Sequence, residues 1–280
     1  MVLVENISIN DISQELIEEI TAGLSQYCVA IYAFYPEGQN SPFRLIGTGT
    51  LVEIEGTYGI LTAGHVWDQL RGSHEIGLTL TDYSSCFRMK FEHVHTVEKP
   101  LWNPQDEEWG PDLALIKLAP LHVSTIIARK SFLNLKKQHD EVDLNESTEK
   151  KCWVAIGLVG EFSDATTNLE LNRTDVNARI FGFLSTIEVT HQNKGYDYLD
   201  LSVNTTLPGV PSTFVGVSGG GLWKAVLVKK KSGLLTWDEK PYLRGVAFWE
   251  SPIIEGKRVI RCHGPRSIYE NAWKVWNLPQ

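Results

Sequence analysis

Gly216-Val217-Ser218-Gly219-Gly220-Gly221 limits the folds open to this chain more than any other stretch. Three consecutive glycines are a poor helix start, because each gives up more backbone freedom on ordering than any other residue. The run that follows, residues 222–228, is apolar and rich in β-branched and aromatic side chains, and reads as a strand. Upstream lies the turn-rich Leu207-Pro208-Gly209-Val210-Pro211. The serine is thus held between a turn and a strand, where backbone closes in on a small hydroxyl from several sides. Such a loop suits a nucleophile, which also needs a base, a carboxylate to orient the base and backbone N–H groups aimed at a developing oxyanion.

Two upstream stretches offer the first two. Thr62-Ala63-Gly64-His65-Val66 places a histidine after the apolar run Tyr58-Gly59-Ile60-Leu61, and Gly110-Pro111-Asp112-Leu113-Ala114-Leu115-Ile116 places an aspartate just before an apolar strand. Asp112 then sits at the rim of a core, where a carboxylate is costly to desolvate unless paired. Short apolar runs with Gly, Pro and Asn punctuation recur through residues 28–61, 76–80, 88–97, 179–190, 196–204, 221–229 and 242–249 and predict strands and hairpins, without the alternating helices of a parallel-sheet enzyme. Apolar residues at helical spacing predict a helix over residues 10–24, capped by Asp11, and another near the C-terminus, capped by Ser267.

His65, Asp112 and Ser218, in that order and with those flanks, resemble the chymotrypsin/trypsin-like serine proteases, in the form of a bacterial-type intracellular peptidase without a zymogen N-terminus. The resemblance covers roughly residues 25–278 and implies an all-β fold of two antiparallel six-stranded β-barrels, with the helices added at either end. The divisions expected are an N-terminal helical extension (1–24), a first barrel (25–135), a polar linker (136–151), a second barrel (152–263) and a C-terminal helix (264–280). By the same resemblance Ser218 is the nucleophile, His65 the base and Asp112 its orienting carboxylate, with the backbone N–H groups of Gly216 and Ser218 forming the oxyanion hole. The implied activity is endopeptidase cleavage through an acyl-enzyme.

Departures from the family pattern bear on specificity and activation. Val217 stands where cleavage-activated members carry an acid, and no Ile-Val-Gly-Gly-like start lies upstream, so activation by cutting is not expected. The substrate-binding residues implied are Ser212 at the pocket floor, Val215, Trp249 and Glu250. Ser212 replaces the acid of trypsin-like enzymes. Phe248 replaces a serine that supports the triad aspartate, and Glu250 replaces a glycine at the pocket mouth. Glu250 would recruit a basic side chain; Arg258, Arg261 and His263 would favour an acidic one.

Two other functions compete. Gly-x-Ser-x-Gly also fits the nucleophile elbow of α/β-hydrolases, with Glu239 or Glu250 and then His263 in that fold's order, but an elbow needs a helix after the serine. A non-catalytic or conditionally active protease fold that binds a partner is the other, with the N-terminal helix as a docking or self-regulating element. The net charge of −8 argues against a nucleic-acid partner. Cys28, Cys86, Cys152 and Cys262 have no paired spacing, the N-terminus lacks the pattern of a secretion signal, and no stretch is long enough to span a bilayer, so the expected location is the cytoplasm. His93-x-His95 near Cys86 lacks the further ligands of a metal site, and neither metal nor cofactor is expected.

Overall fold

A computed structural model describes residues 2–3, 12–35, 43–81, 83–96, 101–103, 105–144, 152–168, 173–207 and 209–276. The architecture is mostly β, with a nearly closed antiparallel barrel-like sheet beside a second sheet. One large sheet runs, in spatial order, Phe87–Lys90, Glu75–Leu78, Cys28–Phe34, Phe43–Ile54, Thr57–Thr62, Asp112–Leu118 and Val94–Thr96. The other runs Ile187–Asn193, Tyr196–Asn204, Lys257–His263, Tyr242–Glu250, Gly221–Ala225, Cys152–Asn168, Arg173–Ser185 and Tyr83–Ser85. Its last member comes from the first half of the chain and pairs with Arg173–Ser185, Ser85 facing Asp175. A small third sheet joins Val2–Leu3, Leu227–Lys229 and Leu235–Trp237.

Local chemistry sets the hairpins. Between Ile187–Asn193 and Tyr196–Asn204 the two-residue turn Lys194-Gly195 has φ of 50° and 85°, the left-handed pair whose twist matches that of the strands it joins. Apolar strand faces meet in a core that takes Val154, Ile156, Trp223 and Val246 from one sheet and Val52, Leu61 and Leu115 from the other.

Three features differ from the all-β expectation. Short helices Gly64–Leu70, Pro120–Ile127 and Leu135–Glu141 join the two at the ends. Of the expected linker, residues 136–151, the first six lie in the helix Leu135–Glu141 and residues 145–151 lie outside the described residues: the Asn134 side chain accepts from Lys137 N–H at 2.7 Å and caps the helix, while Leu135 and Gln138 turn inward. The N-terminal helix spans Gln14–Ser25 and is capped by Ser13, whose hydroxyl accepts from Leu16 N–H; Asp11 lies outside the described residues. Leu16, Ile20 and Leu24 enter the same core as the C-terminal residues Ile268, Trp273 and Trp276.

At the C-terminus Ser267 does not act as the cap. It lies within a π-helical stretch, Ser267–Ala272, that runs into Trp273–Trp276. The carboxylate that accepts the first free N–H groups, from Arg266 at 3.1 Å and Ser267 at 2.6 Å, belongs to Asp197 on a distant strand. Among the described residues no helix is long and apolar enough to cross a membrane.

Candidate active site

His65 follows the strand Thr57–Thr62 and enters the first turn of Gly64–Leu70, a helix held down by buried Val66, Trp67 and Leu70. Asp112 opens the strand Asp112–Leu118 and is only 4% exposed. Both its carboxylate oxygens go to one residue: Oδ1 accepts from His65 N–H at 2.8 Å, and Oδ2 lies 2.6 Å from His65 Nδ1. Neighbouring strands, with Ala114 opposite Thr62, bring the two elements together. A carboxylate fixed at both oxygens holds the imidazole in one orientation and one tautomer, with Nδ1–H toward the acid and Nε2 toward the cleft.

Behind this pair stands a residue with no expected part in it. His263 is fully buried, stacked on Phe248 at 4.5 Å between ring centroids, and its Nε2 accepts from Asp112 N–H at 2.9 Å. Burial pushes its pKa down to about 3, against an opposing pull from the Asp112 charge, so the ring is neutral and its proton sits on Nδ1. Phe248, expected to leave Asp112 without a serine's support, supplies the aromatic face for this histidine instead.

Ser218 lies on a loop whose backbone groups are nearly all committed. Its carbonyl accepts from Thr48 N–H at 2.8 Å, and the Gly216 carbonyl accepts from the Thr48 hydroxyl at 2.6 Å. Val217 N–H donates to Phe214 O, Gly219 N–H to Ala247 O and Gly220 N–H to Val217 O, at 2.7–2.9 Å. The exceptions are the N–H groups of Gly216 and Ser218, which donate to nothing among the described residues. Gly219 has φ of 88°, and a Cβ there would come within 2.0 Å of Thr48 O, so only glycine fits beside the serine.

A cleft of about 480 Å³ is lined by His65, Asp112, Gly216 and Ser218 together. Within it the Ser218 hydroxyl makes no hydrogen bond to any described residue. Of the expected substrate-binding residues, Val215, Trp249 and Glu250 line the same cleft. Ser212 does not: it is exposed, and its N–H and hydroxyl hold the Glu161 carboxylate at 2.9 and 2.8 Å. Those bonds, the hydroxyl's first, pull the Glu161 pKa down.

Arg261 does not enter the cleft. Its guanidinium pairs with both Asp200 oxygens at 2.8 Å, reaches Glu108 at 3.1 Å, and lies over Trp109 and Trp249 at 4.0 and 5.0 Å. It fastens the loop that delivers Asp112 to the second sheet. His93 pairs with His122 at 3.0 Å, and no group of three or more His, Cys, Asp or Glu among the described residues is placed to hold a metal ion. No protein-family model matches the chain, and no curated protein does.

Proposed function

We propose that this protein is a serine endopeptidase of the trypsin-like kind, its two large sheets acting as two barrels with the reaction in the cleft between them. The observation that carries the reading is the doubly bonded His65–Asp112 pair opening onto the same cleft as Ser218 and two uncommitted N–H groups. In this reading His65 Nε2 takes the proton from Ser218 Oγ as Oγ attacks a peptide carbonyl. Asp112 stabilises the imidazolium that results, and Gly216 and Ser218 N–H receive the oxyanion. The imidazolium then protonates the leaving amine, and water, activated by the same ring, releases the acyl group from Oγ.

The chemistry falls to Ser218 rather than to a thiol. All four cysteines are free, and burial pushes Cys28, Cys86 and Cys152 up to about 12, far from the thiolate a nucleophile needs. Unpaired thiols also support a reducing compartment, the cytoplasm. The esterase elbow finds no support: turn and antiparallel strand, Gly221–Ala225, follow Ser218, and His263 is spent on Asp112.

A conditionally active enzyme is the second reading, favoured by the absence of a described bond from the Ser218 hydroxyl to His65. Such bonds are often loose before substrate binds. A fluorophosphonate probe tests both readings. Labelling of Ser218 that disappears in Ser218→Ala and drops roughly 10²- to 10⁴-fold in rate in His65→Ala is the expected result. An unlabelled protein, with and without added peptide, would remove the hydrolytic assignment; labelling only with peptide present would select the conditional form.

A further inference from the structure

Beside the two uncommitted N–H groups the cleft runs between residues 214–217 on one wall and residues 247–250 on the other. A peptide carbonyl held by Gly216 and Ser218 hangs the side chain of its own residue into this gap. Its inner surface is apolar, supplied by Phe214, Ala247 and Ile260, each nearly fully buried. Across it lies Glu250. From the end of Tyr242–Glu250 its carboxylate reaches the opposite wall, where it accepts from Phe214 N–H at 2.9 Å and from the Thr213 hydroxyl at 3.3 Å. It is also ion-paired with Arg258 of the next strand, whose side chain is 13% exposed.

We infer that Glu250, locked to Arg258, bars this gap, so that the enzyme takes only small uncharged side chains, of alanine, serine or valine size, at the residue whose carbonyl is attacked. The inference rests on the hydrolytic reading above. A lysine or arginine side chain finds the Glu250 oxygens already holding three donors. It binds only by displacing Arg258, which leaves that guanidinium without a counter-charge away from water. An acidic side chain meets the Glu250 carboxylate first, at short range where water screens little. A leucine or phenylalanine needs the space the carboxylate occupies, and moving it breaks the bonds to the far wall. Small side chains stop short of the bar and rest on Ala247 and Phe214.

The two charges make the test reciprocal. In a peptide library varied at the residue before the cut, wild type is expected to cleave after Ala, Ser and Val at least ~100-fold faster than after Lys, Glu or Phe. Glu250→Ala leaves Arg258 unopposed and raises cleavage after Glu by roughly tenfold or more; Arg258→Ala leaves Glu250 unopposed and does the same for Lys. Wild-type cleavage after Lys, Glu or Phe on a par with Ala, or a folded variant without its reciprocal gain, overturns the inference. Fluorophosphonate labelling on the same samples separates the failures: labelled Ser218 with a broad profile sinks the specificity alone, and absent labelling sinks the hydrolytic reading. Calorimetric titration of Ser218→Ala with the same peptides decides the specificity without turnover. Tighter binding of the small-residue peptides supports it, and equal binding or none overturns it.

Discussion

His263 carries no charge anywhere near neutral pH, and that has a sign. In the unfolded chain its ring titrates near 6.5, whereas burial holds the native ring to about 3. Between these values the unfolded state binds a proton that the native state refuses. Stability therefore falls on acidification from about pH 6.5 toward 3, by up to about 1.4 kcal/mol per pH unit, and this contribution is flat above that window. Urea midpoints of His263→Gln measured from pH 7 to pH 4 should show a shallower pH dependence than wild type; parallel slopes would refute a neutral buried ring. His263→Leu leaves Asp112 N–H without an acceptor, which should cost ~1–3 kcal/mol and slow labelling of Ser218, with His263→Gln, which keeps an acceptor, retaining more of both. At this scale the sequence is uneven. His65, Asp112 and Ser218 are legible because small or apolar flanks mark where each side chain must emerge. The support from His263 is not, because its partner is a backbone N–H 151 residues away. Ser212 misleads for a related reason: counting back from Ser218 locates a residue along the loop but not which way it faces, and Glu161 holds it on the outside.

Helices divide by how much of their reason for existing is local. Gln14–Ser25 has an apolar stripe, and its inward residues are those the spacing selects, with Ile20 wholly buried. Gly64–Leu70 and Leu135–Glu141 are seven residues each, too short to show a period, and their formation depends on strands already in place. The tight fit of Gln14–Ser25 bears on the choice between a helix that packs on the barrel, the expected reading, and one that docks a partner or regulates, its alternative. A Cβ at Gly23 would lie 2.3 Å from the Trp237 ring, and Leu16, Ile20 and Leu24 are core residues. Ile20→Ala should cost roughly 2–5 kcal/mol in chemical denaturation. Deleting residues 1–26 should lower the thermal midpoint without raising the labelling rate of Ser218; a faster, fully folded truncation would restore the helix as an inhibitor.

Across the whole molecule the sheets are joined where the chemistry is proposed to occur. Thr48, wholly buried on the strand Phe43–Ile54, donates its hydroxyl to Gly216 O, accepts from Leu158 N–H at 2.9 Å and gives its own N–H to Ser218 O. One side chain thus ties the first sheet to the Ser218 loop and to the strand Cys152–Asn168. Thr48→Val keeps the shape and removes both hydroxyl bonds, so it should destabilise by ~1–3 kcal/mol. It should also slow Ser218 labelling by up to about 10²-fold as the loop drifts, with Thr48→Ser restoring most of it. Nothing in the sequence marks such long-range ties. The same holds for Tyr83–Ser85, which sits at the edge of the second sheet because strand pairing answers to edges and register in space, not to position along the chain. The boundary expected near residue 135 rests on a change of composition alone, and the pairing of Tyr83–Ser85 with Arg173–Ser185 crosses it.

The core shared by Gln14–Ser25 and Trp273–Trp276 makes the packing of two segments distant along the sequence a single event. Ile20 and Leu24, far from Trp273 and Trp276 along the sequence, belong with them to one buried cluster. A chain in which these distant segments have not yet met carries an uncovered apolar stripe on Gln14–Ser25, and in that interval chaperones have something to hold.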